Sequence, residues 1–504
     1  LLKEIAATPT TLAIDLVAGL IHLLYRQGYR RIEYDRHQLL EVYSKAHKTS
    51  LVFLPSHKSQ LDRLVMQYVL WENDLPPSHT AGGININFWP VGPLVRRSGV
   101  FFIRRSFKDD PTYKFVLRSY LDYLLSRRFP IEWYLEGGRS RTGKLRPPSL
   151  GLLHYVVDSY ERSVTDDVLL IPTSITYDQI QDIGDYAAET QGAAKSDESF
   201  GWLLGAVASL RRRYGDVHIR FGEPLSLKKD WTGDADEGSV DIAKLAFEVM
   251  MRINAATPIS PTAVVSLYLT DSPGPVSVEE LSARIGPMAA EVDRLQLPKT
   301  ARFDRPIDLE VVLDRMAEHG FVIRTDDHWE VADGSIHPLA FYRNVMVHHF
   351  LVAAIADLAR RAGGDPQETE LDIRRLLQFE FFFDPRERFL SSLDDAMEVA
   401  DAVDGLARLV LEPFLESYFS VIDLAAQREE LPDAKEALAH AMRLLDHGRI
   451  RRVEAATLPI MSSAIKMLEH ARIEGDEQAL RALREQVATY LEVATKPASV
   501  DLDS

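Results

Sequence analysis

A histidine and an aspartate five residues apart, His57 and Asp62, lie in Pro55-Ser56-His57-Lys58-Ser59-Gln60-Leu61-Asp62. An imidazole oriented by a carboxylate is what a general base needs to take a proton from a hydroxyl. The apolar run Leu51-Val52-Phe53-Leu54 ahead of them reads as a short buried strand. Ser59 and Asp62 have the Ser-x-x-Asp spacing of a capping box, which predicts a helix from Ser59 through Leu64, Val65 and Val69. His57 then sits on the connection and Asp62 in the first turn, where the two side chains can meet. The same spacing recurs at His328 and Asp333, in an alternating stretch that reads as a hairpin strand. Spacing alone separates neither copy from a capping aspartate beside a polar loop histidine.

Three stretches downstream decide between them. Gly99-Val100-Phe101-Phe102-Ile103-Arg104-Arg105 delivers two arginines at the end of a strand. Glu136-Gly137-Gly138-Arg139-Ser140-Arg141-Thr142-Gly143-Lys144 follows the next strand, and Ile171-Pro172-Thr173-Ser174-Ile175-Thr176-Tyr177-Asp178 continues a third. From Phe88 to Arg146 there are 13 Lys and Arg against 5 Asp and Glu, a local +8 in a chain of net charge −17. Strand ends are where an open α/β sheet binds ligands. Guanidinium forks and glycine-rich backbone at that place suit a phosphate, although any single arginine could equally pair with Asp109, Asp110 or Glu136. The run Gly138 to Lys144 also matches the start of a P-loop, but Leu145 stands where Ser or Thr must hold magnesium, and Pro147-Pro148 replaces the required helix. That reading fails.

With 504 residues the chain has room for two or three domains. It starts at Leu1, so residues are expected ahead of it. The absence of cysteine excludes disulfides, thiolate metal sites and a cysteine nucleophile, and fits a reducing cytoplasm. The net negative charge argues against nucleic acid as a partner. No uncharged apolar run is long enough to span a bilayer. Leu12 to Leu24, broken by Asp15 and His22, reads as an amphipathic helix whose Ala13, Leu16, Val17, Leu20 and Leu24 pack on the body of the protein or lie on a membrane.

Residues 1–50 read as a helical segment. From 51 to 257 strands (51–54, 100–103, 131–135, 168–171, 217–221) alternate with helices such as Tyr113 to Leu125, the pattern of an α/β domain with a central sheet flanked by helices. Thr257-Pro258-Ile259-Ser260-Pro261 marks a boundary. The mainly helical domain 258–504 begins with two helices (Val278 to Ile285, Leu309 to His319) and a hairpin around Asp326-Asp327, a winged-helix-like start whose acidity speaks against DNA. A single helix is predicted from Phe341 through Ile355, with His348 and His349 on different faces and no two-histidine metal site. The tail from Pro497 to Ser504 reads as disordered.

Taken in order, His57…Asp62, Gly99…Arg105, Glu136…Lys144 and Ile171-Pro172 resemble the four blocks of the glycerolipid acyltransferase family. Phe101 to Arg105, Glu136 to Gly143, Gly83-Ile84-Asn85-Ile86-Asn87-Phe88-Trp89-Pro90 and Tyr342-Arg343-Asn344 are similar to the bacterial membrane-associated glycerol-3-phosphate acyltransferases. The resemblance covers residues 51–225 specifically and implies a mixed central sheet. It also implies transfer of a fatty acyl group from a thioester of coenzyme A or acyl carrier protein to glycerol 3-phosphate, giving lysophosphatidate. In that reading His57 is the base and Asp62 fixes its tautomer, with no metal and no cofactor. Arg104 or Arg105, with Arg139, Ser140, Arg141 and Lys144, would hold the substrate phosphate. Glu136 and Gly137 would shape the loop, and Pro172 would line the acyl or pantetheine path. Dihydroxyacetone phosphate or lysophosphatidate as acceptor, or a non-catalytic lipid- or carrier-binding scaffold, are the alternatives. The expected place is the cytoplasmic face of the cell membrane, held peripherally against its lipids by Leu12 to Arg31 and by the Trp89 to Pro93 region with Arg96 and Arg97.

Overall fold

The computed structural model describes residues 1–89, 91–194, 213–231, 240–303, 307–473 and 475–496. Pro90 and the 497–504 tail lie outside the described residues. The chain divides into two compact units. The first comprises residues 1–140, 145–182 and the described part of 196–258; the second comprises 141–144, the described part of 183–195, and the chain from 259 onward.

The first unit is built on a mixed sheet of eight strands among the described residues: β1 (Arg31–Glu33), β2 (Ser50–Pro55), β3 (His79–Gly83), β4 (Val100–Ile103), β5 (Ile131–Glu132), β6 (Val168–Tyr177), β7 (Asp216–Phe221) and β8 (Leu225–Ser226). Their order is β1-β7-β6-β2-β5-β3-β4, with β8 added against β6. β2 runs parallel to both β5 and β6, while β7 and β8 are antiparallel to β6. Every residue of β2 and β6 is buried, which is why their cores Leu51–Leu54 and Val168–Ile171 read as continuous apolar runs rather than alternating ones. The expected strand 131–135 is shorter: the chain leaves the ladder after Glu132, and Tyr134 turns under the neighbouring loop. β1 and β3 were not legible, being three residues long and Gly-terminated respectively.

The helix Thr11–Gly28 packs on the helix Asp62–Glu72 and buries Ala13, Val17, Ile21 and Tyr25. Asp15 and His22, the polar interruptions of its apolar run, accept from the Trp71 indole N–H (3.1 Å) and meet the Tyr68 hydroxyl (2.9 Å). Leu12, Leu16, Leu20 and Leu23 form an outward stripe, with Leu12 82% exposed. Leu16 and Leu20 are therefore not packing residues, as the apolar run had suggested. Positions 12, 16, 20 and 23 share one helix face, and the buried set lies a residue further on.

The second unit is mainly helical. It contains the expected helices Val278–Arg294 and Leu309–Glu318 and a three-stranded sheet of Val276–Ser277, Val322–Thr325 and His328–Val331. His328 is exposed on its hairpin and Asp333 is exposed beyond it. The helix expected from Phe341 to Ile355 is broken. Ile336–Asn344 ends, a 3-10 turn Val347–Phe350 intervenes, and Leu351–Ala362 follows. The tighter 3-10 turn brings the His348 and His349 rings to 4.1 Å, so they do not diverge as on an α-helix. Among the described residues no single helix is long and apolar enough to cross a membrane; this bent pair, at 62°, reaches the length only together.

β1, β6 and β7 are tied by a buried charge cluster. His218 on β7 is fully buried, with Nε2 3.0 Å from Asp178 and Nδ1 3.4 Å from Glu33, the latter an ion-pair distance without hydrogen-bond geometry. Burial pushes the imidazole down, but the two carboxylates outweigh it and hold it up at about 9. Because the folded value lies above the ordinary 6.5, the stabilisation is complete below pH 6.5 and is lost as pH rises through 9. The urea midpoint should fall between about pH 6 and about pH 10 by the equivalent of on the order of 2 kcal/mol. His218→Gln should flatten that slope; equal slopes in both proteins would remove the cluster from the account.

Candidate active site

The site begins where β2 ends. Ser56 locks the connection to β6: its N–H donates to the Thr173 carbonyl (2.8 Å) and its hydroxyl accepts from the Ile175 N–H (2.9 Å). The chain then turns out through His57 and re-enters at the helix Asp62–Glu72. This helix starts at Asp62 with Leu61 as its N-cap, three residues later than the capping-box spacing predicts. Half of the box is present, because Asp62 Oδ2 accepts the Ser59 N–H at 2.9 Å. The other half is shifted by one residue: the Ser59 hydroxyl accepts the Leu61 N–H (3.2 Å) rather than that of Asp62, while donating to Asp182 Oδ2 (2.8 Å).

Asp62 is fully buried. Its Oδ2 accepts from His57 Nδ1 (2.8 Å) and from the N–H groups of Lys58 (2.7 Å) and Ser59 (2.9 Å); its Oδ1 accepts from the Tyr177 hydroxyl (2.6 Å). A buried carboxylate is costly unless its oxygens are satisfied, and here both are. Tyr177 was outside the expected site although its strand had been singled out. A tyrosine at a strand end has no spacing signature, and only the fold brings it to Asp62.

His57 is held from three more sides. Its ring stacks on Tyr134, with centroids 4.1 Å apart and planes at 24°. Its N–H donates to Glu136 Oε1 (2.7 Å), and its carbonyl accepts the Ser140 N–H (2.8 Å). Glu136 Oε2 takes the Arg146 N–H (2.9 Å), so this buried carboxylate closes the glycine-rich loop onto the histidine turn. Burial pushes Glu136 up, opposed by the charge of buried Lys58 and by those two N–H groups. Burial likewise pushes Lys58 down, opposed by Glu136 and Asp62. Gly137 has φ +64°, and a Cβ there would meet Ser149 at 3.2 Å, which accounts for glycine at that turn. With Nδ1 committed to Asp62, Nε2 is the nitrogen left to exchange a proton, and the side chain is 19% exposed.

The expected phosphate ligands have different surroundings. Arg105 is exposed. Arg139 lies close enough to Asp182 for its charge to lower that carboxyl against the upward push of burial. Arg104 is forked onto Glu4 (2.6 and 2.8 Å), reaches Asp110 (3.0 Å) and lies over the Tyr113 ring. Arg141 and Lys144 belong to the second unit. Arg141 is paired with Glu189 (2.6 Å) over Tyr186; Lys144 is buried with Glu380 between the rings of Phe381 and Phe414. Gly143 beside it has φ +87°, and a Cβ there would lie 2.0 Å from the Phe341 carbonyl oxygen, so only glycine fits. Arg104, Arg141 and Lys144 are thus each paired with a carboxylate. Pro172 is buried in β6 opposite Leu54, and its carbonyl accepts the Gly222 N–H (2.7 Å).

Residues 34–176 match the family model described as acyltransferase, and residues 186–476 match that described as glycerol-3-phosphate acyltransferase C-terminal region. A Mycobacterium tuberculosis protein with the provisional name acyltransferase plsB1 is 31% identical over 98% of this chain and 87% of its own length. A glycerol-3-phosphate acyltransferase of Aeromonas hydrophila is 31% identical over 79% of this chain and 52% of its own. Among solved structures, the 1-acyl-sn-glycerophosphate acyltransferase PlsC of Thermotoga maritima aligns with 48% of this chain and 93% of its own at 16% identity, with a TM-score of 0.26 too low to carry weight. The chain belongs to the glycerol-3-phosphate acyltransferase family.

Proposed function

We propose that the protein moves a fatty acyl group from a thioester of coenzyme A or acyl carrier protein to a hydroxyl of glycerol 3-phosphate. The observation that carries this reading is the 2.8 Å contact between His57 Nδ1 and the buried Asp62 carboxylate, which leaves Nε2 as the proton acceptor. Nε2 takes the hydroxyl proton as the oxygen attacks the thioester carbonyl carbon. The C–S bond then breaks, and the leaving thiolate takes the proton from the imidazolium, giving an ester (lysophosphatidate) and a thiol. The acceptor hydroxyl is itself the nucleophile, in keeping with a chain that has no cysteine.

In this reading the acceptor phosphate is held by arginines of the Arg104 to Lys144 stretch, Arg139 among them, with Ser140 beside it. Arg104, Arg141 or Lys144 would each have to exchange a carboxylate partner for it. Pro172 contributes to the wall of the acyl or pantetheine path through its strand. A donor and product bearing fatty chains favour peripheral attachment to the cytoplasmic leaflet. The exposed stripe Leu12, Leu16, Leu20 and Leu23 and the 85% exposed Trp89 supply apolar surface for it.

Thioester turnover with glycerol 3-phosphate, dihydroxyacetone phosphate and lysophosphatidate tests the assignment. His57→Ala should lose activity by about three orders of magnitude, Asp62→Asn by nearly as much, and Arg139→Ala should chiefly raise the KM for the acceptor. His328→Ala should be silent. Full turnover in His57→Ala would end the general-base role, and preference for another acceptor would reassign the substrate. Lys144→Met separates holding substrate from holding the fold. Loss of its charge leaves Glu380 buried without its countercharge, so stability should drop by about 3 kcal/mol with the acceptor KM unmoved. A raised KM at unchanged stability would return Lys144 to the phosphate.

A further inference from the structure

Oδ2 of Asp62 is engaged by three donors from the turn that bears His57, whereas Oδ1 accepts one hydrogen bond among the described residues, from Tyr177. We propose that Tyr177 is a positioning residue for the reaction: its phenol fixes the far oxygen of the Asp62 carboxylate and sets how much of that charge the imidazole feels. The inference rests on the proposed acyl transfer.

The geometry supports a dedicated donor. Tyr177 is the last residue of β6, held in register opposite Val217 and packed ring to ring with Tyr29 at 5.7 Å. At 2.6 Å the contact is in the range of hydrogen bonds to ionised oxygen. Burial pushes the phenol well above its ordinary range and the charge of Asp62 adds to that, so it remains a donor throughout the working pH range. The other titratable groups facing the pair are Lys58, Glu132, Glu136, Asp182, Tyr25, Tyr29 and Tyr134. Exchanging the Tyr177 hydroxyl for hydrogen removes none of these groups, and of them it is Tyr25 that loses a hydrogen-bond partner.

The sign follows from charge sharing. The phenol draws carboxylate charge toward Oδ1. Without it more charge faces the imidazole, the imidazolium is favoured, and the base stays protonated to higher pH. The unheld carboxylate also orients the ring less well, which lowers kcat. Tyr177 touches Asp62 rather than substrate, so the acceptor KM should change little.

The test is the pH profile of thioester turnover with glycerol 3-phosphate. Tyr177→Phe should lower kcat about tenfold, leave the acceptor KM within about twofold and move the acid limb of kcat/KM up by roughly half a pH unit. Replacing Tyr177 with 3-fluorotyrosine keeps ring and hydroxyl but strengthens the donor, and should move the limb down; it also keeps the test open if the Phe variant folds poorly. In an Asp62→Asn background, Tyr177→Phe should add little further loss. An unmoved limb in both replacements, or fully additive losses, overturns the proposal. If the wild type turns over and His57→Ala does not, that result removes Tyr177 alone. Failure of the wild type to acylate glycerol 3-phosphate removes the functional reading and this one with it.

Discussion

A carboxylate with no exposure to water is the constraint from which the first unit follows. Asp62 can be charged there only because donors reach it from two elements: the turn after β2 and the end of β6. Those strands are neighbours in the sheet, paired in parallel over six residues. The long apolar strands therefore serve a polar purpose. Their burial excludes water from the carboxylate, and their register sets which side chains meet it. Left unpaired, such a group would cost several kcal/mol, enough to unfold a typical domain's margin on its own.

The same logic runs outward in layers. Glu136, also buried, takes one N–H from the histidine turn and one from the far side of the glycine-rich loop. Asp182 takes the Ser59 hydroxyl and the Gln60 N–H. Each acid is placed to satisfy backbone that would otherwise be stranded by the abrupt exit from β2. Three carboxylates thus hold one turn, and the imidazole is the member of that assembly left partly open to solvent.

Much of this could be read from the residues. The central strands, the His57–Asp62 contact and the basic excess between Phe88 and Arg146 all leave marks in composition and spacing. Contacts distant in sequence leave none. Nothing in the local pattern tells that Arg104 is claimed by Glu4, 100 residues earlier, or Lys144 by Glu380, 236 residues later. Three of the cations expected at the phosphate therefore carry carboxylate partners that the local sequence does not show. Tyr134 and Tyr177 were hidden for the same reason, one beneath the imidazole and one behind the carboxylate. The helix starts later than the Ser59–Asp62 spacing suggests, with the Ser59 hydroxyl accepting from Leu61 and donating to the distant Asp182, a contact that local rules do not see. The break near His348 involves neither Pro nor Gly, the usual signals.

The division of the chain into units does not follow its order. Residues 141–144 and 183 onward to 194 are gathered with the chain beyond 259, although residues of the first unit flank them. Four of those residues form a detour from the loop whose beginning holds His57, and they include a lysine buried with Glu380, Phe381 and Phe414 of the later sequence. Such interleaving makes the second unit something other than an appendage. It could not be acquired or shed by joining or cutting at a single point, and any change in the length of the glycine-rich loop must satisfy two cores at once.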